Sequence, residues 1–180
     1  ENTMLHKEEK ERVAGFAAKF VQEGDSVFID AGTSMIPLVR ILEKKKIKLV
    51  TYNELLIRNM TNPVADIFIV GGQYRPYYCM NVGTIAHDIL KQFHFNAAFI
   101  GCSGVDLKER MVYTTEMESL LMKRIAMENA DRNYLLIDHS KVGRRSFFKL
   151  GETDPFTKII CNQDTIKGMD HPLPENIILV

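Results

Sequence analysis

Small and polar residues recur in five short clusters along this chain, each just after an apolar run. The first is Asp30-Ala31-Gly32-Thr33-Ser34, which follows Val27-Phe28-Ile29. Thr51-Tyr52-Asn53 is the second, and Gly71-Gly72 with Arg75 the third. Gly101-Cys102-Ser103-Gly104-Val105-Asp106 and Asp138-His139-Ser140-Lys141 complete the set. At the first cluster, a strand, a small-residue turn and a following helix would place backbone N–H groups and two hydroxyls around an anion, usually phosphate. The same residues also suit an ordinary helix N-cap. Arg75 and Lys141 carry the charge to neutralise a phosphate. Asp30, Asn53 and Asp106 can hydrogen-bond sugar hydroxyls. The chemistry that fits all five clusters is binding of a small phosphorylated polyol or sugar.

Other chemistries fit less well. Gly101-x-x-Gly104 lacks the G-x-G-x-x-G pattern, so no dinucleotide cofactor is expected. His87 and His94 are seven residues apart, which is no metal signature, and no metal is expected there. Cys102 has no identifiable base beside it and reads as a packed thiol. His139 reads as a loop residue rather than a catalytic base.

The elements that position these clusters follow from apolar spacing. Val13, Phe16, Ala17, Phe20 and Val21 predict a helix over 7–22. Strands are expected at 26–30, 47–51, 65–70, 95–100 and 134–138, with shorter ones at 146–150, 158–161 and 177–180. Helices are expected at 35–43, 54–60, 84–92 and 116–130. Asn53 is placed to cap the helix at 54–60, and Asn62-Pro63 to end it. Residues 74–80, with Pro76, read as one extended, edge-like segment. Strands alternate with helices and several are apolar throughout, the pattern of a mostly parallel sheet covered on both faces. In such a sheet, ligands bind outside the carboxyl ends of the strands. One α/β domain over 1–180 is the economical organisation.

Composition narrows the function classes. The 180 residues are 46% hydrophobic and 26% charged, enough for one ordinary globular core. Lys plus Arg and Asp plus Glu number 23 each, so the net charge is zero and the basic footprint of a DNA-binding surface is missing. Three cysteines without C-x-x-C spacing argue against a disulfide framework and fit a reducing compartment. No apolar run approaches ~20 residues, so no membrane span is expected. The charged first residues are no signal peptide, and a cytoplasmic location is expected. The chain opens on Glu1 rather than Met, which suggests a piece of a longer protein.

Taken together, the motifs resemble a known family. Asp30-Ala-Gly-Thr-Ser34, Thr51-Tyr-Asn53, Gly71-Gly-x-x-Arg75, Gly101-x-Ser-Gly-Val-Asp106, Thr114-Thr115 and Asp138-His-Ser-Lys141-Val-Gly143 stand in the order and spacing of the sensor domain of DeoR-family bacterial repressors. The resemblance runs from about residue 7 to about residue 165. It implies a fold related to ribose-5-phosphate isomerase, glucosamine-6-phosphate deaminase and coenzyme A transferases. It implies a phosphorylated sugar or related metabolite as effector, a homo-oligomer, and repression of carbohydrate-metabolism genes. Operator DNA would be bound by an N-terminal winged helix-turn-helix absent from this chain. The residues that resemble the family's ligand positions are Asp30, Gly32, Thr33, Ser34, Asn53, Gly72, Arg75, Gly101, Gly104, Asp106 and Lys141, with Glu118 after Thr115. Ser34 and Tyr52 depart from the residues usual there, and Tyr52 is expected to narrow or cover the pocket. Neither a cofactor nor a catalytic residue is implied. The alternative is a sugar-phosphate isomerase or deaminase of the related fold, with Asp106 or Glu118 as the proton-transfer base.

Overall fold

The computed structural model describes residues 2–163 and 168–180. Its centre is a seven-stranded sheet in the order β12-β11-β9-β6-β1-β2-β3. These strands are β1 (Ser26–Ile29), β2 (Lys48–Thr51), β3 (Asp66–Ile69), β6 (Phe95–Ile100), β9 (Ala130–Ile137), β11 (Lys158–Cys161) and β12 (Ile177–Leu179). All six pairings are parallel, with Phe28 opposite both Val50 and Ala98 at the centre. Among the described residues, five α-helices, α1 (Asn2–Ala17), α2 (Ile36–Leu42), α3 (Glu54–Arg58), α4 (Thr84–Leu90) and α5 (Met117–Glu128), complete the α/β arrangement. The expected mostly parallel sheet with flanking helices is what the chain forms.

The apolar strands are apolar throughout because each feeds two cores. Successive side chains point to opposite faces of a strand. Val27, Ile29, Leu49, Ala97, Phe99, Tyr134 and Leu136 pack with Val13, Ala14 and Ala17 of α1 and Leu38, Val39 and Leu42 of α2. Phe28, Val50, Ala98, Ile100, Leu135 and Ile137 pack on the other face with Ala86 and Leu90 of α4 and Leu120, Met122 and Ala126 of α5. A strand buried on both faces shows no polar alternation.

Two small antiparallel sheets lie outside the main one. Residues 74–80 are not one extended segment. They turn at Pro76–Cys79 between β4 (Gln73–Arg75) and β5 (Met80–Val82), which pair as a hairpin. Cys79 sits at φ 54° in that turn. The stretch after Gly101 contains β7 (Gly104–Asp106) and β8 (Met111–Thr114), which the apolar pattern does not announce. They form a three-stranded sheet with β10 (Phe148–Glu152), the strand expected at 146–150. Gly104 is required there. A Cβ at this position would lie 2.4 Å from the Arg144 carbonyl oxygen, so the loop after β9 docks on bare backbone.

Candidate functional site

The carboxyl ends of β1, β2, β6 and β9 meet at one rim of the sheet. Asp30, directly after β1, is fully buried. Its Oδ1 accepts from the Ala31 amide at 2.8 Å and from the Tyr52 hydroxyl. Its Oδ2 accepts from the Gly101 amide at 2.9 Å and from the Lys123 ammonium. Lys123, on α5, is 5% exposed and also donates to the Gly101 carbonyl at 3.0 Å. One carboxylate thereby joins the ends of β1, β2 and β6 to α5. Burial pushes the Tyr52 hydroxyl well above its ordinary range, and the Asp30 charge acts in the same direction, so Tyr52 remains a donor. Tyr52 fills the core rather than covering a pocket, stacked on Phe28 at 5.9 Å.

Above this buried pair lies a cavity of about 290 Å³. Gly32, Thr33 and Ser34 from the first cluster line it, with Asn53, Gly101 and Lys141. Those six sequence-predicted residues are brought together. Gly32 adopts φ 117°, a left-handed value that favours glycine, and leads into the 3-10 turn Thr33–Met35 ahead of α2. Asn53 caps α3 as expected. Its Oδ1 accepts from the Leu55 and Leu56 amides at 2.8 and 3.3 Å, while its Nδ2 donates to the Tyr78 carbonyl at 3.3 Å. Lys141 is carried by the 3-10 turn His139–Lys141, which Asp138 caps through the Ser140 amide at 2.8 Å. Burial alone would raise the Asp138 carboxyl. The hydrogen bonds from Ser140 outweigh it, and the group lies below the usual carboxylate range.

The remaining sequence-predicted residues do not line this cavity. Asp30 has protein partners on both oxygens and shapes the wall from behind. Asp106 accepts from the Lys108 and Glu109 amides at 3.1 and 2.9 Å and binds Arg145 at 3.0 Å. The Glu109 amide, followed by Arg145, holds its carboxyl below the ordinary value. This is an Asx-type turn closing the β7–β8 hairpin, and both Asp106 oxygens have partners within the protein. Arg75 and Glu118 pair with each other at 2.6 Å beside the cavity, so the Arg75 charge meets a carboxylate within the protein. Gly72 and Gly104 are sites of close packing. A Cβ on Gly72 would lie 2.7 Å from the Val82 carbonyl oxygen.

Several cavity residues escape the motif reading. Lys123, Glu116 and Ser119 line the wall, as do Lys10 of α1 and Tyr78, beside Thr114 of the Thr114-Thr115 motif. Ser119 donates to Glu116 at 2.7 Å. The signal for Lys123 was present: it interrupts the apolar stripe of Leu120, Met122 and Ala126 on the buried side of α5. Cys102 also lines the cavity, and burial pushes its thiol up to about 12, as suits a packed thiol rather than a nucleophile. A larger, more open groove of about 690 Å³ adjoins the cavity and shares Lys10, Thr33 and Lys141 with it.

A parallel α/β sheet with a small polar cavity at its carboxyl rim is the arrangement in which doubly covered α/β domains bind small molecules. Residues 5–163 match the DeoR C terminal sensor domain, and the chain belongs to that family. It is 30% identical over 161 residues to the HTH-type transcriptional regulator IolR of Bacillus subtilis (strain 168), covering 88% of this chain and 62% of that protein. It is 28% identical over 162 residues to the lactose phosphotransferase system repressor of Streptococcus mutans, covering 87% and 64%. The chain thus spans less than two-thirds of the length of these two relatives. Ribose 5-phosphate isomerase A from Methanocaldococcus jannaschii superimposes with a TM-score of 0.55 at 17% identity, over 79% of this chain and 55% of that one. The delta subunit of eIF2B from Chaetomium thermophilum gives 0.59 at 13% identity, over 88% and 56%. Such identities show shared fold alone, and the fold is the isomerase-related one expected. Among the described residues no helix is long and apolar enough to cross a membrane.

Proposed function

We propose that this domain is the effector sensor of a transcriptional repressor of carbohydrate metabolism, and that a phosphorylated sugar or related metabolite binds in the 290 Å³ cavity. The observation that carries the reading is that Lys10 and Lys141 line the same cavity as Thr33 and Ser34. Two ammonium groups and two hydroxyls are a phosphate-binding set. The remaining Nδ2 proton of Asn53, Glu116 and Ser119 offer partners to sugar hydroxyls. The relatives named above are regulators, one of them a repressor of a sugar transport system. The protein acts without catalysing a reaction. The carboxylates that an isomerase reading would use, Asp106 and Glu118, are engaged by Arg145 and Arg75.

In the full-length protein, a winged helix-turn-helix before residue 1 binds operator DNA, in the cytoplasm and as a homo-oligomer. Lys10 lies on α1, so a phosphate drawn to Lys10 and Lys141 favours one position of that helix over others. A ligand shifts a regulator's equilibrium only through such differential contact.

A thermal-shift and calorimetric screen against hexose and pentose phosphates and their parent sugars tests the reading. One phosphate should stabilise the domain while its parent sugar does not. Lys141→Ala should weaken that ligand about 10- to 100-fold, because a charge-assisted hydrogen bond contributes roughly 1.5–3 kcal/mol. A flat response across the phosphates overturns the proposal. Turnover of a binding phosphate by the purified domain would favour the isomerase or deaminase reading instead.

A further inference from the structure

Among the described residues, one group of metal-ligating side chains lies together outside the effector cavity. His6 and Glu9 are three residues apart on α1 and so share a helix face. Asp138 and His139 come from the loop after β9. One donor atom from each of the four lies within 4.8 Å of every other. His6 Nδ1 is 3.9 Å from Glu9 Oε2 and 3.8 Å from Asp138 Oδ1. His139 Nδ1 is 2.7 Å from Glu9 Oε2, and the two imidazoles stack at 4.8 Å. Ligands at about 2.0–2.1 Å from a tetrahedral zinc stand about 3.3 Å apart, so the widest separations here, up to 4.8 Å, must close by about 1.5 Å and the 2.7 Å His139–Glu9 pair must open by about 0.6 Å to form the shell.

A second observation points to a ligand. Glu9 is fully buried; its Oε2 pairs with His139, and its Oε1 has no hydrogen-bond partner among the described residues. A buried carboxylate oxygen without a partner carries a desolvation penalty that a bound cation would remove. Asp138 is also buried, at 3% exposure. Lys10 and Lys141 are the cations that act on Asp138. From the geometry we infer that His6, Glu9, Asp138 and His139 form a binding site for a divalent transition metal of the zinc class. Two imidazoles and two carboxylates favour zinc over magnesium or calcium, which prefer shells of oxygen alone. Bound metal would fasten α1 to the loop that carries Lys141. The inference is independent of the effector reading, because it concerns the metal alone.

Equilibrium dialysis of the purified, metal-stripped chain against micromolar Zn²⁺, with metal content measured per chain, tests it. One equivalent should bind, excess Mg²⁺ should not compete, and the melting temperature should rise with the metal. His6→Gln, Glu9→Gln and His139→Asn should each lower the affinity by at least about tenfold. Circular dichroism of the variants separates lost ligation from lost folding. Co²⁺ in the same site should show no thiolate charge-transfer band. Failure to take up zinc overturns the inference. So does uptake that survives in the His6→Gln/His139→Asn double variant, which places the metal elsewhere, or a thiolate band, which assigns it to a cysteine.

Discussion

Asp30 carries the first polar position after β1, yet its contacts are with the protein. Tyr52, Gly101 and Lys123 surround the carboxylate, and a buried ion pair broken on one side leaves an uncompensated charge. Lys123→Ala is therefore expected to destabilise the domain by about 3–5 kcal/mol in urea unfolding. The double variant Asp30→Asn/Lys123→Met should recover much of that loss, because neither partner is then charged. Equal losses in the single and double variants would show that the pair is not the stabilising unit. Cys102 gives a second expectation at this scale. A thiol at about 12 holds only about one part in ten thousand as thiolate at pH 8, roughly a thousandfold less than an ordinary cysteine. Alkylation of Cys102 at pH 8, followed by peptide mass spectrometry, should be slower than in the unfolded chain by about 10- to 100-fold, because the more basic thiolate is also the stronger nucleophile. Its rate should climb with pH through the alkaline range.

The elements that hold the cavity divide into parallel strands and hairpins. The parallel strands announce themselves by unbroken apolar runs such as Phe99-Ile100 and Leu135-Leu136-Ile137. The β7–β8 pair does not, because Gly104, Asp106 and the polar turn after it interrupt any alternation. The hairpin matters to the site all the same. Val105 bridges to Val142, and the Gly143 amide donates to the Val105 carbonyl at 2.9 Å, so β7 seats the loop that carries Lys141. Gly104→Ala is expected to cost about 1–3 kcal/mol in stability, since the Arg144 carbonyl must give way. It should also weaken effector binding, because Lys141 moves with that loop. Binding at full strength in Gly104→Ala would separate the loop's seating from the ligand site.

For the whole molecule, two cores on opposite faces of one sheet make a single cooperative unit the expected behaviour. A ligand that binds only the folded state then stabilises all of it. At about 100 times its dissociation constant the effector should add about 2.7 kcal/mol, which for this chain length is a rise of about 5–11 °C in melting temperature. Because both cores share β1, β2, β6 and β9, fluorescence and far-ultraviolet dichroism should report the same midpoint. A phosphate that moved one probe and not the other would show that the faces unfold separately.

What the sequence determined by itself was everything carried by local pattern. Apolar runs bounded by small residues fixed the parallel strands and the order of the elements. Asn53 before Glu54-Leu55-Leu56 fixed a helix cap, and the spacing of the polar clusters placed Thr33, Ser34, Asn53 and Lys141 at one rim. Partnership was decided only by the tertiary structure, because it depends on residues distant in the chain. Asp30 meets Lys123 across 93 positions, Arg75 meets Glu118 across 43, and Asp106 meets Arg145 across 39. A charged side chain looks equally available to a ligand in any sequence. Whether its charge is already met inside the protein is set by packing, and packing here left Lys10 and Lys141 facing the cavity while it enclosed Asp30.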